Sequence, residues 1–311
     1  MSVIGVDDFS YPGGWNDLRR REERALWCCS QLEDGHVLLL EHIPFDLPET
    51  DLQFLRPQQQ SSSSLHKNIS YRPKQDKLRG FASERPKDVE RLHQIMRNYS
   101  TQVVEFLSKF LAPYSQHWKL DFASFRPLEE KGRDLPLHKR NDLLHVDAFP
   151  GRPTRGGRIL RCFTNINPSE PRTWLLGGHF PEIAERYSDG AGLRKIAQSA
   201  VGPGRSVRKL ITPLGKLVGI PGIDRSGYDK FMLSLHDYLK ENADYQREGT
   251  KIRTDFPPSS TWLAFTDAVP HAVLSGRLAL EQTLIVPVKA LISPEKSPLR
   301  KLEQIAGQSL T

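Results

Sequence analysis

The chain has 311 residues, a formal net charge of +7 and a sequence pI near 9.3, which suits one large core or one core with a substantial insertion and favours anionic partners: a lipid head group, an acidic substrate or nucleic acid. No zinc-finger spacing, RNP-like aromatic motif or basic heptad helix is present, so the reading is no nucleic acid. The three cysteines (Cys28, Cys29, Cys162) form no disulfide framework, and neither a secretory signal nor a stretch of about 18 apolar residues occurs, so the expectation is a cytoplasmic protein, at most peripheral to a membrane.

Taken in chain order, Val37-Leu-Leu-Leu-Glu-His-Ile-Pro-Phe45 predicts a first clear strand, and Gln58 to Ser64 a low-complexity loop. Between Lys87 and Leu111, apolar residues at Val89, Leu92, Ile95, Met96, Tyr99, Val103, Phe106, Leu107 and Phe110 follow the spacing of a core-packed helix. Strands are expected from Trp118 to Arg126, from Arg158 to Asn167 and over Trp174 to Phe180. Glycines at 190, 192, 202, 204, 215, 219 and 222 interleave with Arg194, Lys195, Arg205, Arg208, Lys209 and Lys216, which reads as an inserted lid-like segment of loops and short helices. A second amphipathic helix spans Tyr228 to Tyr245. Two strands follow, Thr261 to Thr266 and Leu278 to Pro287, and Leu299 to Leu310 reads as a polar tail. The fold expected is mainly β with flanking helices: a double-stranded β-helix (jelly-roll, cupin-like) in one domain over 1–311. Its core strands lie at about 35–45 and 115–290, the insertion at about 188–246 and the tail at 295–311.

His145-Val-Asp147 carries the chemistry. Residues two apart on an extended segment point to the same side, so this pair can hold one metal ion. His271, after the strand Thr261 to Thr266 and the connection Asp267-Ala-Val-Pro270, supplies a second histidine. Two histidines and one carboxylate leave half the sphere of a non-haem Fe(II) open for a cosubstrate and O2. The same donors could take Zn(II), but no H-E-x-x-H occurs and no hydrolytic base is evident nearby.

An Fe(II) with three open positions suits 2-oxoglutarate, whose far carboxylate needs a cation, and the arginine fork pairs bidentately with carboxylates. On the last strand, where many such enzymes place that cation, this chain has Glu281. The alternatives are Arg161, which shares a strand face with Phe163 and Asn165, and Arg126 on the preceding strand. Arg158 and Arg277 read as solvated. Arg152 and Arg155, in the loop beside the H-x-D pair, suit a substrate carboxylate or phosphate, or equally a solvated turn. His138, His179 and His236 have no partner spacing and read as structural.

Several segments together resemble the 3-deoxy-D-manno-oct-2-ulosonic acid (Kdo) 3-hydroxylases: Leu144-His-Val-Asp-Ala-Phe-Pro150, Arg152 to Arg161, Phe163-Thr-Asn-Ile-Asn-Pro168, Pro270-His-Ala-Val-Leu-Ser-Gly276 and Lys67-Asn-Ile-Ser-Tyr71. The resemblance implies an Fe(II)/2-oxoglutarate dioxygenase that hydroxylates C3 of Kdo on a Kdo-containing lipid A precursor, giving the 3-hydroxylated sugar Ko with succinate and CO2. It implies His145, Asp147 and His271 as metal ligands and is compatible with contact at the cytoplasmic face of the inner membrane. Two alternatives keep other classes in view: a 2-oxoglutarate oxygenase acting on a protein side chain or free small acid, and a non-catalytic barrel that binds an anionic glycolipid.

Overall fold

Strand-forming sequence is concentrated after residue 118, and there it builds two sheets with their apolar faces against each other. The computed structural model describes residues 2–6, 18–61, 68–81, 83, 85–201 and 225–311. The end of the Gln58 to Ser64 loop, Lys67, and the glycines and basic residues between 202 and 224 lie outside the described residues.

The strands are β1 (Val3–Gly5), β2 (Val37–Leu40), β3 (Ile69–Arg72), β4 (Lys77–Arg79), β5 (Lys119–Arg126), β6 (Arg158–Asn165), β7 (Arg172–Leu176), β8 (Ile252–Phe256), β9 (Thr261–Phe265), β10 (His271–Ser275) and β11 (Ala279–Val286). Eight form one sheet in the order β1-β2-β9-β6-β11-β5-β3-β4, antiparallel except for β1 with β2. The other three form a smaller antiparallel sheet, β10-β7-β8. Together they make the double-stranded β-helix expected from the sequence.

Every residue of β6 is buried, because both of its faces are covered. Leu160 and Cys162 join the core formed with the helices Leu18–Glu33 and Pro86–Phe110 on the outer face. Phe163 turns inward to a second core with Trp174, Phe256, Trp262 and Val273, where the Phe256 and Trp262 rings stack at 4.1 Å. The helix Pro86–Phe110 buries Leu92, Ile95, Met96, Tyr99, Val103, Phe106, Leu107 and Phe110, the stripe its periodicity predicts.

Strand alternation fixes what enters the space between the sheets. Across the neighbours β5, β11 and β6, Ala279 faces Arg126, Glu281 faces Phe163, and Thr283 faces Arg161. Arg126, Glu281 and Arg161 therefore share the inner side, and a one-residue slip of any of these strands would turn its own residue outward.

Four expectations change. The β3–β4 hairpin and β8 carry too many polar residues to have been read as strands, and β10, which begins at His271 just after the expected connection Asp267-Ala-Val-Pro270, was not read as one either. Trp174 to Phe180 is not one strand: β7 ends at Leu176, and Phe180 opens the helix Phe180–Tyr187. The helix expected over Tyr228 to Tyr245 divides into Gly227–Glu241 and Ala243–Glu248. The C-terminal segment read as a polar tail forms the helix Pro298–Ala306, which buries Leu299 and Leu302 and is capped by the Ser297 side chain.

Candidate metal centre

The two histidines are brought together by their own backbones. His145 donates its N–H to His271 O at 3.1 Å, and His271 donates back to His145 O at 2.9 Å, an isolated antiparallel bridge that adds the H-x-D stretch to the edge of the small sheet. Asp147 N–H is held by Thr266 O at 2.8 Å, and both backbone polar groups of Leu144 bond the Gln246 side chain. The H-x-D residues are thus extended without forming a regular strand.

Ring orientation follows from a second set of bonds. His145 Nδ1 lies 2.7 Å from Leu143 O, and His271 Nδ1 lies 2.9 Å from Val269 O, so each Nδ1 is the donor and each Nε2 presents a lone pair. Those Nε2 atoms are each 3.9 Å from an oxygen of Asp147, and one donor atom from each residue fits within 4.8 Å of the others. Burial, then the neighbouring charges of His271 and Lys240, holds His145 well below the usual imidazole range; burial also lowers His271. Burial alone would raise the Asp147 carboxyl, but Arg161 and the two histidines outweigh it and keep the group ionised. Asp147 Oδ2 is buried without a hydrogen bond, although Arg161 Nε approaches to 3.2 Å. Two neutral nitrogens and an incompletely satisfied carboxylate, aimed at one point, fit a two-histidine, one-carboxylate metal face.

This face opens into a cavity of about 540 Å³. Its strand wall carries Arg126, Arg161 and Arg172, and carboxylates neutralise all three. Arg126 donates to Glu281 at 2.6 and 2.9 Å, Arg161 lies 3.2 Å from both Glu281 and Asp147, and Arg172 is 3.7 Å from Glu130. Trp174, opposite Val273 in the small sheet, stacks on the His271 ring at 4.9 Å. Its other wall is the helix Gly227–Glu241. Tyr228, Phe231, Met232, Leu235 and Leu239 of that helix are buried in its core, while Leu233, His236, Asp237 and Lys240 line the cavity at helical spacing. The His236 ring meets His145 edge-on at 4.9 Å.

The sequence-predicted residues divide sharply. His145, Asp147, His271, Arg161 and Arg126 converge on one cavity; Arg152 and Arg155 are not among its lining. Arg152 pairs with Asp121 and lies over the Phe149 and Phe122 rings, and Arg155 is exposed, with its backbone N–H on Asp229. Arg277 is exposed as expected, but Arg158, read as solvated, is 1% exposed and paired with Asp267 at 2.9 Å, because both faces of β6 are covered. Arg172, Trp174, His236 and Lys240 were missed as site residues. Only the polar stripe of the second helix could have signalled any of them.

Gly177 supports the centre from behind. Its N–H donates to Pro270 O at 2.8 Å, and a Cβ there would lie 2.9 Å from Pro270 Cβ and 3.6 Å from Leu144 Cδ2, the residues just before the two histidines.

A family model described as 3-deoxy-D-manno-oct-2-ulosonic acid (Kdo) hydroxylase matches residues 15–309. Among solved structures, the chain resembles the apo form of the Kdo hydroxylase KdoO, a non-haem Fe(II) α-ketoglutarate-dependent dioxygenase, at 35% identity and TM-score 0.83, covering 100% of this chain and 97% of that one. The complex of KdoO with α-ketoglutarate and Fe(III) matches at 36% identity and TM-score 0.83, covering 100% and 98%. Its cobalt(II) complex matches at 36% and 0.83, covering 99% and 97%. No curated protein matches the sequence significantly.

Proposed function

The chain belongs to the Kdo hydroxylase family of non-haem Fe(II)/2-oxoglutarate-dependent dioxygenases, and on that premise we propose that it hydroxylates C3 of Kdo on a Kdo-containing lipid A precursor. The product is Ko, formed together with succinate and CO2. The observation that carries this reading is the buried triangle of His145, Asp147 and His271 opening onto an arginine-lined cavity.

In this reading His145 Nε2, His271 Nε2 and the Asp147 carboxylate hold the iron. When bound, the iron activates O2 at the expense of 2-oxoglutarate and supplies the oxidising power that replaces a C–H hydrogen by hydroxyl. The residues around it bind, orient and exclude. Arg161 and Arg126 take the 2-oxoglutarate carboxylates, joined by Arg172, which burial lowers to about 10 and which therefore stays charged at neutral pH. Because Glu281, Glu130 and Asp147 already balance these three cations, the wall tolerates an empty cavity and exchanges partners when the dianion enters. Phe163, Trp174 and Val273 exclude water behind the metal face. Among the described residues no helix is long and apolar enough to cross a membrane. The basic balance suits a phosphorylated glycolipid presented at the cytoplasmic face of the inner membrane.

Incubation with Fe(II), 2-oxoglutarate, O2 and a Kdo-lipid A precursor should add one oxygen atom to the Kdo sugar, seen by mass spectrometry, with matching succinate. Succinate formed with no oxygen on any Kdo-lipid would refute the substrate assignment.

A further inference from the structure

Lys240 stands apart from the arginines of the cavity. It projects from the helix Gly227–Glu241 rather than from a strand, it is 3% exposed, and its ammonium donates to His138 O at 3.0 Å. Among the described residues no carboxylate pairs with it. The acids that face it are engaged: Asp237 and Glu241 contact the His138 ring at 3.1 and 3.2 Å, Asp142 is held by Arg140 at 2.6 Å, and Asp147 by Arg161. Each arginine of the opposing strands has a partner carboxylate, whereas Lys240 faces the cavity without one among the described residues. A buried ammonium without a counter-ion is costly, and one facing a cavity is a binding group for an anion. Lys240 lines the same cavity as His145, Asp147 and His271, which places it beside the metal face.

We propose that Lys240 binds the carboxylate of the sugar acid and so determines which carbon faces the metal. The assignment rests on the substrate reading above. In a 2-ulosonic acid the carboxyl carbon is bonded to C2, and C2 to C3, so a cation that clamps the carboxylate fixes C3, two bonds from the carboxyl carbon, closer to the clamp than the remaining ring carbons. The two anions of the reaction then have separate seats: the strand arginines for the cosubstrate and the helix lysine for the substrate. The separation prevents 2-oxoglutarate and the sugar acid from competing for one cation.

The test compares a Kdo-lipid A precursor with the same compound carrying a methyl-esterified Kdo carboxyl, in the wild type, Lys240→Met and Lys240→Gln. Glutamine keeps a donor for His138 O and removes only the charge. In the wild type, kcat/KM should favour the acid over the ester by about 10- to 100-fold, as for a buried charge-assisted hydrogen bond. Both variants should lose most of that preference through a raised KM for the acid, with KM for 2-oxoglutarate unchanged. A wild type indifferent to esterification, or a folded variant that keeps the wild-type ratio, overturns the assignment of Lys240. A wild type that transfers no oxygen to either compound instead overturns the substrate reading, and the lysine's role with it.

Discussion

Replacing Gly177 by alanine should damage the metal centre without touching a ligand. The added Cβ would sit 2.9 Å from Pro270 Cβ and 3.1 Å from the Tyr245 hydroxyl. Ordinary carbon–carbon contact needs about 3.5–4.0 Å, so Pro270 or the β7 end must move by about half an ångström or more. Pro270 leads directly into His271, and Gly177 also bonds its carbonyl, so the shift is transmitted to the ligand. Overpacking of this kind costs about 1–3 kcal/mol. With about 2.1 cal/mol/K of unfolding entropy per residue, a chain of 311 residues loses roughly 1.5 °C of Tm per kcal/mol, so the expected drop is about 2–5 °C. Loss of ligand alignment should weaken metal binding about 10- to 100-fold. Gly178→Ala is the control, since its Cβ would meet only Glu182 Oε2 at 3.7 Å and Thr250 Cβ at 3.9 Å, ordinary contacts. Calorimetric Tm and anaerobic Co(II) titration of both variants decide the matter. If Gly177→Ala binds cobalt as tightly as Gly178→Ala, the mechanical link from β7 to His271 is wrong.

Further outcomes follow from the same geometry. Saturating the protein anaerobically with Co(II) at about 100 times its Kd should stabilise it by about 2.7 kcal/mol, roughly 4 °C; His271→Ala should abolish the shift, and an unchanged shift would remove His271 from the ligand set. Burial alone would raise the Glu130 carboxyl, but Arg126, Arg172 and Arg133 outweigh it and, with Asn141, hold it below its usual range. Its stabilising contribution is therefore complete above about pH 5 and lost as pH falls through the folded value. Glu130→Gln should cost about 3–5 kcal/mol at pH 7, with the gap to wild type narrowing towards pH 4 in urea titrations; a gap that does not change with pH contradicts this. Burial pushes the Cys28 thiol up to about 12 and raises Cys29 and Cys162 as well. At pH 8 an aromatic disulfide reagent should label none of the three in the native protein and all three in denaturant.

The legible part of the site was the part written in short spacings. His145 and Asp147 lie two residues apart, and the strands Thr261 to Thr266 and Leu278 to Pro287 announce themselves by β-branched and apolar content, so the triad and the jelly-roll could be read directly. Arg161 followed from strand alternation, and Arg126 from its place on the preceding strand. Arg172 could not, because its role depends on the small sheet folding over the large one, and the short strand that carries it begins just after Pro171. His236 and Lys240 were hidden differently: the helix Gly227–Glu241 has an obvious apolar stripe, and nothing local tells whether its polar face meets water or a cavity. Arg158 was misread for the reverse reason, since a strand buried on both faces is invisible until its neighbours are known.

The reciprocal backbone bridge between His145 and His271 has a consequence for how the protein acquires its metal. The helices Gly227–Glu241 and Ala243–Glu248 lie between the two ligand-bearing segments in the chain, so a nascent chain emerging as far as Glu248 holds His145 and Asp147 of the triad but not His271. The third donor arrives when β10 docks and the bridge closes, which also fixes both imidazole rings through the adjoining carbonyls. The complete metal face therefore exists only where the two sheets have closed on each other.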